Sequence, residues 1–321
     1  MSVLTVVLAG GSGTRLWPLS TDERPKWALQ VGGRSLLAAA VDRAVGPVVV
    51  ITAAGRGDLA RAALDGRAAE VWEEPRPRST LAPVLWAGEV ARSRGFTHLL
   101  VLPADHLLDD APAFRAVVAA ATGADPCLIA VRPDAPDEGL GWMVLGTSDP
   151  RGLFTVERFV EKPAPAEAAA LFHAGARWNM GVFVLPVAWT AALAARVAPG
   201  VTLDHDPGRW WAEIPCTSLD YGALESARDL RAVLWDGAWS DLGTWSAFAA
   251  AAPVVGDGRG DASKILAFDA PAPWVFAPGR EVVVLGADVL IVEVDSRLFV
   301  ADRRALAGLQ DARRAVVGAA G

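Results

Sequence analysis

The stretch VVLAGGSGTRLWPLS, residues 6–20, runs from an apolar segment into three glycines, two hydroxyls and an arginine, then stops at a proline. Glycines let the backbone turn tightly and bring its N–H groups close to a ligand, and an arginine adds charge in a fixed fork. That combination outlines a phosphate cradle. Three better-known loops do not fit. A Walker A loop needs lysine and then Ser/Thr after its last glycine, where this chain has Thr14 and Arg15. A dinucleotide fingerprint would need glycine or alanine in place of Leu16, and a nucleophile elbow on Ser12 would need glycine in place of Thr14. A plain surface turn after a buried strand stays open on the glycines alone.

Further charged residues bear on the choice. Pro18 and Pro25 disfavour a continuous helix, so the segment between them is an extended loop that could fold Lys26 back over the glycines. Asp105, in LPADH, ends a strand-like run. A carboxylate there can hold Mg²⁺, which accepts one or two carboxylates plus phosphate oxygens, or it can cap the following helix. FVEKP places Glu161 and Lys162 at a strand end before Pro163. They form a salt bridge or, in a sugar-phosphate pocket, supply lysine to phosphate and glutamate to hydroxyls. RWNMG supplies Asn179, an amide that both donates and accepts, and WSDLGTW supplies a second carboxylate, Asp241.

The elements that must position these groups alternate. VLTVVLA, SLLAAAVDRA, PVVVITA, GDLARAALDG and AEVW read as strand, helix, strand, helix, strand. A helix near 80–94, the strand THLLVLP, a helix near 112–122 and the strand PCLIAV continue the pattern. Such alternation predicts βαβ units and a parallel sheet, with ligands outside the carboxyl ends of the strands. From about residue 140, GWMVLG, LFTVERFVEKP and ARWNMGVFVLP are less regular and read as an insertion across the sheet that walls a pocket. Beyond residue 252, KILAFD, PWVFA, EVVVLG, DVLIVEV and SRLFVAD predict a small β-rich unit, closed by a helix near 302–317. The division is thus 1–252 for a catalytic domain and 253–321 for the β-rich unit.

With 321 residues, 52% of them hydrophobic, the chain can build one large domain and a smaller one. A net charge of −7 argues against a general nucleic-acid surface. The two cysteines, Cys127 and Cys216, offer neither a disulfide framework nor a zinc spacing and read as core thiols. Histidines 98, 106, 173 and 205 have no metal-like spacing, and His106 reads as structural. Most of the 13 tryptophans read as packing. The N-terminus reads as a first strand rather than a signal peptide, and no apolar run is of membrane-spanning length; the expectation is a cytoplasmic protein with no membrane partner.

LAGGSGTRLWPLS, RPK, LPADH, FVEKP, WNMGVFV, SLDYGALE and WSDLGTW, in that order, resemble the sugar-1-phosphate nucleotidylyltransferases, and within them the mannose-1-phosphate guanylyltransferases. The likeness runs from residue 3 to about 250 and continues faintly beyond. It implies a Rossmann-like, open, mostly parallel α/β sheet with a small C-terminal β-rich unit. Departures fall at Ser79, where the family often has asparagine, at GLGWMV (139–144), at Met180, and at Trp27 and Ala28. They bear on base and sugar choice rather than on the chemistry.

The resemblance implies attack by a sugar-1-phosphate oxygen on the α-phosphorus of a nucleoside triphosphate, with pyrophosphate leaving. Leu8, Ala9, Gly10, Gly11, Ser12, Gly13, Thr14 and Arg15 would bind the nucleotide, Arg15 taking the triphosphate tail and Lys26 the α-phosphoryl oxygens. Asp105 and Asp241 would hold Mg²⁺, and Lys162 the sugar phosphate. Glu161, Asn179 and Gly141 would meet the sugar, with Asp220 behind them. GTP and mannose-1-phosphate are the expected substrates and sugar-nucleotide biosynthesis the expected setting, with a homodimer left open. Transfer of UMP, dTMP or AMP to another sugar phosphate is the nearest alternative, and a non-catalytic sensing paralogue a more distant one.

Overall fold

A computed structural model describes residues 2–11, 13–203, 207–252, 264–270, 273–277, 280–294 and 297–318. Ser12 and His205 therefore lie outside the described residues, as does the 252/253 division on its C-terminal side. Contacts group the chain into two units: one of Met1–Gly10, Ala40–Ala104 and Leu108–Trp239, the other of Gly11–Ala39, Asp105–Leu107 and Ser240–Gly321.

The first unit is built on a nine-stranded sheet. In chain order its strands are β1 (Val3–Ala9), β2 (Val48–Ala53), β3 (Glu70–Glu74), β4 (His98–Pro103), β5 (Cys127–Val131), β6 (Trp142–Ser148), β7 (Phe154–Val160), β8 (Arg177–Pro186) and β9 (Arg231–Trp235). Across the sheet they lie β3-β2-β1-β4-β8-β5-β9-β7-β6, and all but β7 and β8 run the same way. β1, β2 and β4 are apolar almost throughout because both faces of a largely parallel sheet are covered. The helices Leu81–Ser93 and Val187–Val197 pack so closely that a Cβ on Gly88 would overlap Thr190.

The segment expected to cross the sheet instead enters it. β8 inserts antiparallel between β4 and β5, and β6 and β7 form the far edge. The reason is burial: β8 is covered along nearly its whole length, which suits an interior strand. Its ladder with β5 slips between Asn179 and Phe183, where Gly181 has φ +72°. A bulge of this kind re-aims the side chain beside it, here Asn179.

The second unit contains β10 (Lys264–Phe268), β11 (Trp274–Phe276), β12 (Glu281–Leu285), β13 (Val289–Val294) and β14 (Arg297–Asp302). Strands two apart in sequence pair in parallel, β10 with β12 and β11 with β13, so this stretch winds; β14 then returns antiparallel to β13. A 3₁₀ turn at Arg303–Gly308 leads into the helix Leu309–Gly318. The unit's core joins Leu16, Trp17, Leu19, Leu29 and Leu36 to Leu242, Trp245 and Phe248, and both groups to Trp274, Phe276, Leu290, Val292 and Leu309. The glycine-rich loop thus shares its core with the C-terminal strands.

Candidate active site

In the second unit the loop does fold Lys26 back. Gly13 has φ +63°, a left-handed conformation that disfavours side chains, and any Cβ there would overlap the Lys26 Cβ. Two short 3₁₀ turns, Thr14–Leu16 and Lys26–Ala28, flank the two prolines in place of a helix. Ser20 Oγ donates to the Gly13 carbonyl at 2.6 Å and ties down the turn.

Lys26 is only 4% exposed. Its ammonium donates to Asp105 Oδ2 at 2.8 Å and to the backbone carbonyl of Asp241. Among the described residues two of its three N–H donors are thereby used, which leaves one for a ligand. Burial pushes the Asp105 carboxyl up, but Lys26, His106 and Arg15 together outweigh it, so its pKa lies below the ordinary value and the group stays ionised. His106 Nε2 lies 4.0 Å from Asp105 Oδ1. The capping alternative for Asp105 does not hold, because Asp110 caps the next helix by accepting from the Ala113 N–H at 3.0 Å.

The Asp241 carboxylate accepts from the Gly243 N–H at 2.9 Å, and a Cβ on Gly243 would overlap Asp241 Oδ2 and lie 3.0 Å from Arg15 Nη1. Only glycine lets that guanidinium approach. Arg15, Gly243, Thr244, Trp245 and Ser246 line an open cavity of about 250 Å³ together with Leu306 and Leu309. The second unit therefore brings together Gly13, Arg15, Lys26, Asp105 and Asp241.

The first unit gathers the groups expected to meet the sugar phosphate. Asn179, carried by the bulge in β8, donates through Nδ2 to Asp220 Oδ1 at 2.9 Å and accepts at Oδ1 from the Gly181 N–H at 3.0 Å. One Nδ2 hydrogen and one lone pair remain. Lys162 pairs with Glu161 at 3.0 Å, its side chain half exposed and its backbone left-handed at φ +47°. The Glu161 N–H donates to Glu225 at 2.9 Å, and the Tyr221 hydroxyl donates to the Glu161 carbonyl at 3.3 Å. Gly141 accepts from the Asn179 N–H at 2.7 Å, and a Cβ on it would lie 2.6 Å from Glu161 Oε2. The absence of a side chain at Gly141 thus leaves room for the Glu161 carboxylate. Burial first, and then the Glu161 charge, push Asp220 up to about 6, against the pull of Lys162 and Asn179.

Sequence reasoning missed Glu74, Gly243, Tyr221 and Glu225. Glu74 ends β3 and is 6% exposed, and a Cβ on Gly10 would lie 2.8 Å from its Oε1. Burial pushes it up to about 7, against a hydrogen bond from the Arg78 backbone. Its only signal is an acid at a strand end before Pro75. Leu8 and Ala9 form the end of β1 leading into Gly10. Cys216 is exposed and so is not a core thiol: it lies beyond the end of the helix Pro207–Glu213. Cys127 is buried, and burial pushes its thiol up to about 12. Met180 is fully buried, which makes that departure a matter of packing. Ser79 has φ +57°, a conformation asparagine adopts readily, which accounts for the residue usual there.

Residues 4–257 match the model of the nucleotidyl transferase family. The chain belongs to that family. It is 30% identical to the xanthan biosynthesis protein XanB of Xanthomonas campestris pv. campestris, over 94% of this chain and 70% of that protein. A putative mannose-1-phosphate guanylyltransferase of Vibrio cholerae is 28% identical over 94% of this chain and 71% of its own length. Among solved structures, a mannose-1-phosphate geranyltransferase from Thermus thermophilus superimposes with a TM-score of 0.85 at 30% identity, covering 98% of this chain and 99% of that one. A UDP-glucose pyrophosphorylase bound to UDP-glucose gives 0.59 at 16% identity over 79% of this chain and 98% of its own, a likeness of fold.

As a nucleotidyl transferase the chain must manage anionic phosphates. The set around Lys26 is suited to them, with two cations, two carboxylates and exposed loop backbone. The donor set fits a divalent cation of the magnesium type: Asp105 and Asp241 offer hard carboxylate oxygens, with Asp105 bonded to Lys26 through Oδ2 and Asp241 to the Gly243 N–H through Oδ1. Among the described residues no group of three or more His, Cys, Asp or Glu is clustered to hold a metal by itself, so such an ion would draw its remaining ligands from phosphate and water. No helix among the described residues is long and apolar enough to cross a membrane.

Proposed function

We propose that the protein transfers GMP from GTP to mannose-1-phosphate, giving GDP-mannose and pyrophosphate. The observation that carries transfer is the convergence on Lys26: a buried ammonium between the Asp105 carboxylate and the Asp241 backbone, with one donor to spare. The sugar-phosphate oxygen forms a bond to the α-phosphorus as the bond to the β-phosphate oxygen breaks, and the electron pair leaves with pyrophosphate. Lys26 holds an α-phosphoryl oxygen, and Arg15 meets charge accumulating on the departing group. Lys162 holds the attacking phosphate, and Asn179 and Glu161 orient the sugar hydroxyls. Asp105 and Asp241 would hold Mg²⁺, which when bound supplies charge neutralisation to the phosphate oxygens.

The choice of mannose and guanine rests on the resemblance, on the names of the relatives, and on Glu74. A carboxylate beside Gly10 can accept both N–H groups on the pairing edge of guanine, an arrangement adenine and uracil do not offer. The test is pyrophosphate release from purified protein given Mg²⁺ with every pairing of GTP, ATP, UTP and dTTP with α-mannose- and α-glucose-1-phosphate. GTP with mannose-1-phosphate should lead, and EDTA should abolish turnover. Preference for UTP or dTTP would sink guanylyl transfer, and undiminished activity in EDTA would sink the metal assignment.

A further inference from the structure

Every charged group of the second unit's site except Asp105 is followed at once by a buried apolar residue: Arg15 by Leu16 and Trp17, Lys26 by Trp27, Asp241 by Leu242. Leu16, Trp17 and Leu242 belong to the core that the C-terminal strands complete. Trp245 sits where these lines meet. Its indole N–H donates to the Trp17 carbonyl at 3.2 Å, two residues from Arg15. Its ring lies edge-on to Trp274 of β11, with centroids 5.3 Å apart, and to Phe248 at 6.0 Å. Trp274 in turn donates its indole N–H to the Ala252 carbonyl at 2.9 Å, and Trp17 packs edge-on against Phe299 of β14 at 5.7 Å. Trp245 also lines the cavity that Arg15 borders, together with Leu306 and Leu309.

We propose that Trp245 is a positioning residue for triphosphate use: it fastens the Arg15 turn and the Asp241 turn to the C-terminal strands, which thereby set the geometry of the phosphate-binding loop. This rests on the assignment of Arg15 and Lys26 to the triphosphate made above. Trp245 itself touches no phosphate. Its contribution is to hold the Trp17 carbonyl, and hence the backbone carrying Arg15, at a fixed distance from Gly243. Near-attack geometry is sensitive to shifts of this kind, because charge stabilisation depends on donors being in place before reaction.

The variant Trp245→Phe keeps an aromatic ring and removes the N–H. One neutral hydrogen bond is worth about 1 kcal/mol net, so kcat/KM for the triphosphate should fall about fivefold. KM for the sugar phosphate, held by residues of the other unit, should stay within a factor of two. Trp274→Phe, one contact further from Arg15, should show the same signature at reduced size. Hydrogen exchange provides a readout independent of catalysis: amides of Gly11–Ala39 should exchange faster in Trp245→Phe, while those of β1, β2 and β4 should not change. Faster exchange in that loop with no change in triphosphate kinetics would leave the loop's attachment standing and remove the assignment of Arg15 beneath it. Unchanged exchange, or a loss shared equally between the two substrates, would overturn the proposal.

Discussion

Asp220 shows how a single residue can carry a pH signature through its neighbours. Its folded-state pKa of about 6 lies above the ordinary 3.8 because burial and Glu161 disfavour the charge. A raised value means that the folded state holds its proton more tightly than the unfolded state does. Asp220 therefore contributes stability that is fully present below about pH 4 and is lost as pH rises through about 6. The loss is on the order of 1–3 kcal/mol. Asp220→Asn keeps an acceptor for Asn179 but has no charge to bury. Melting temperature followed from pH 4 to pH 8 should show the variant gaining on the parent across that interval and staying above it at pH 8; parallel curves would show that the carboxyl is not the group responsible.

At the scale of the element, the loop between Gly13 and Lys26 is specified by steric exclusion. Gly13→Ala introduces both a strained φ and an overlap with the Lys26 stem, so the stem must move and the ammonium must leave one of its two acceptors. A charge-assisted contact is worth about 1.5–3 kcal/mol, so kcat should fall roughly 10- to 100-fold while the sheet of the first unit keeps its circular dichroism. Full activity would mean that Lys26 is placed by something other than Gly13. This loop is largely legible in the sequence because its determinants are local: glycines, two prolines and the lysine between a strand and the next apolar run. The strands are legible for the same reason. The position of β8 is not, since the two strands that flank it, β5 and β4, lie about 50 to 90 residues away and no nearby residue names them. The bond from Lys26 to Asp241 is half legible: the aspartate stands out for its carboxylate, whereas Lys26 takes its main-chain carbonyl, a group that every residue carries. Glu74 is hidden in the sequence because a lone acid at a strand end acquires meaning only once Gly10 is brought beside it.

At the scale of the whole molecule, the C-terminal strands complete the core in which the glycine-rich loop packs. Truncation after Ala252 removes Trp274, Phe276, Leu290 and Val292 and strands Leu16, Trp17, Trp245 and Phe248 at a surface. The truncated chain should bind hydrophobic dyes and lose more than about nine-tenths of its turnover, as a dye-binding assay beside a pyrophosphate assay would show; an active, dye-silent truncation would mean that the loop supports itself. The shared core also imposes an order in time. Leu16 and Trp17 leave the ribosome first, and Leu290, which shares their core, follows more than 270 residues later. At ~5–20 residues per second that interval is roughly 14 to 55 seconds. For that period the first strands can pair and the sheet can grow, while the glycine-rich loop lacks the apolar partners that complete its core. A growing chain of this protein therefore gains much of its first sheet before its glycine-rich loop is seated, and the packing of that loop waits on strands made long after it.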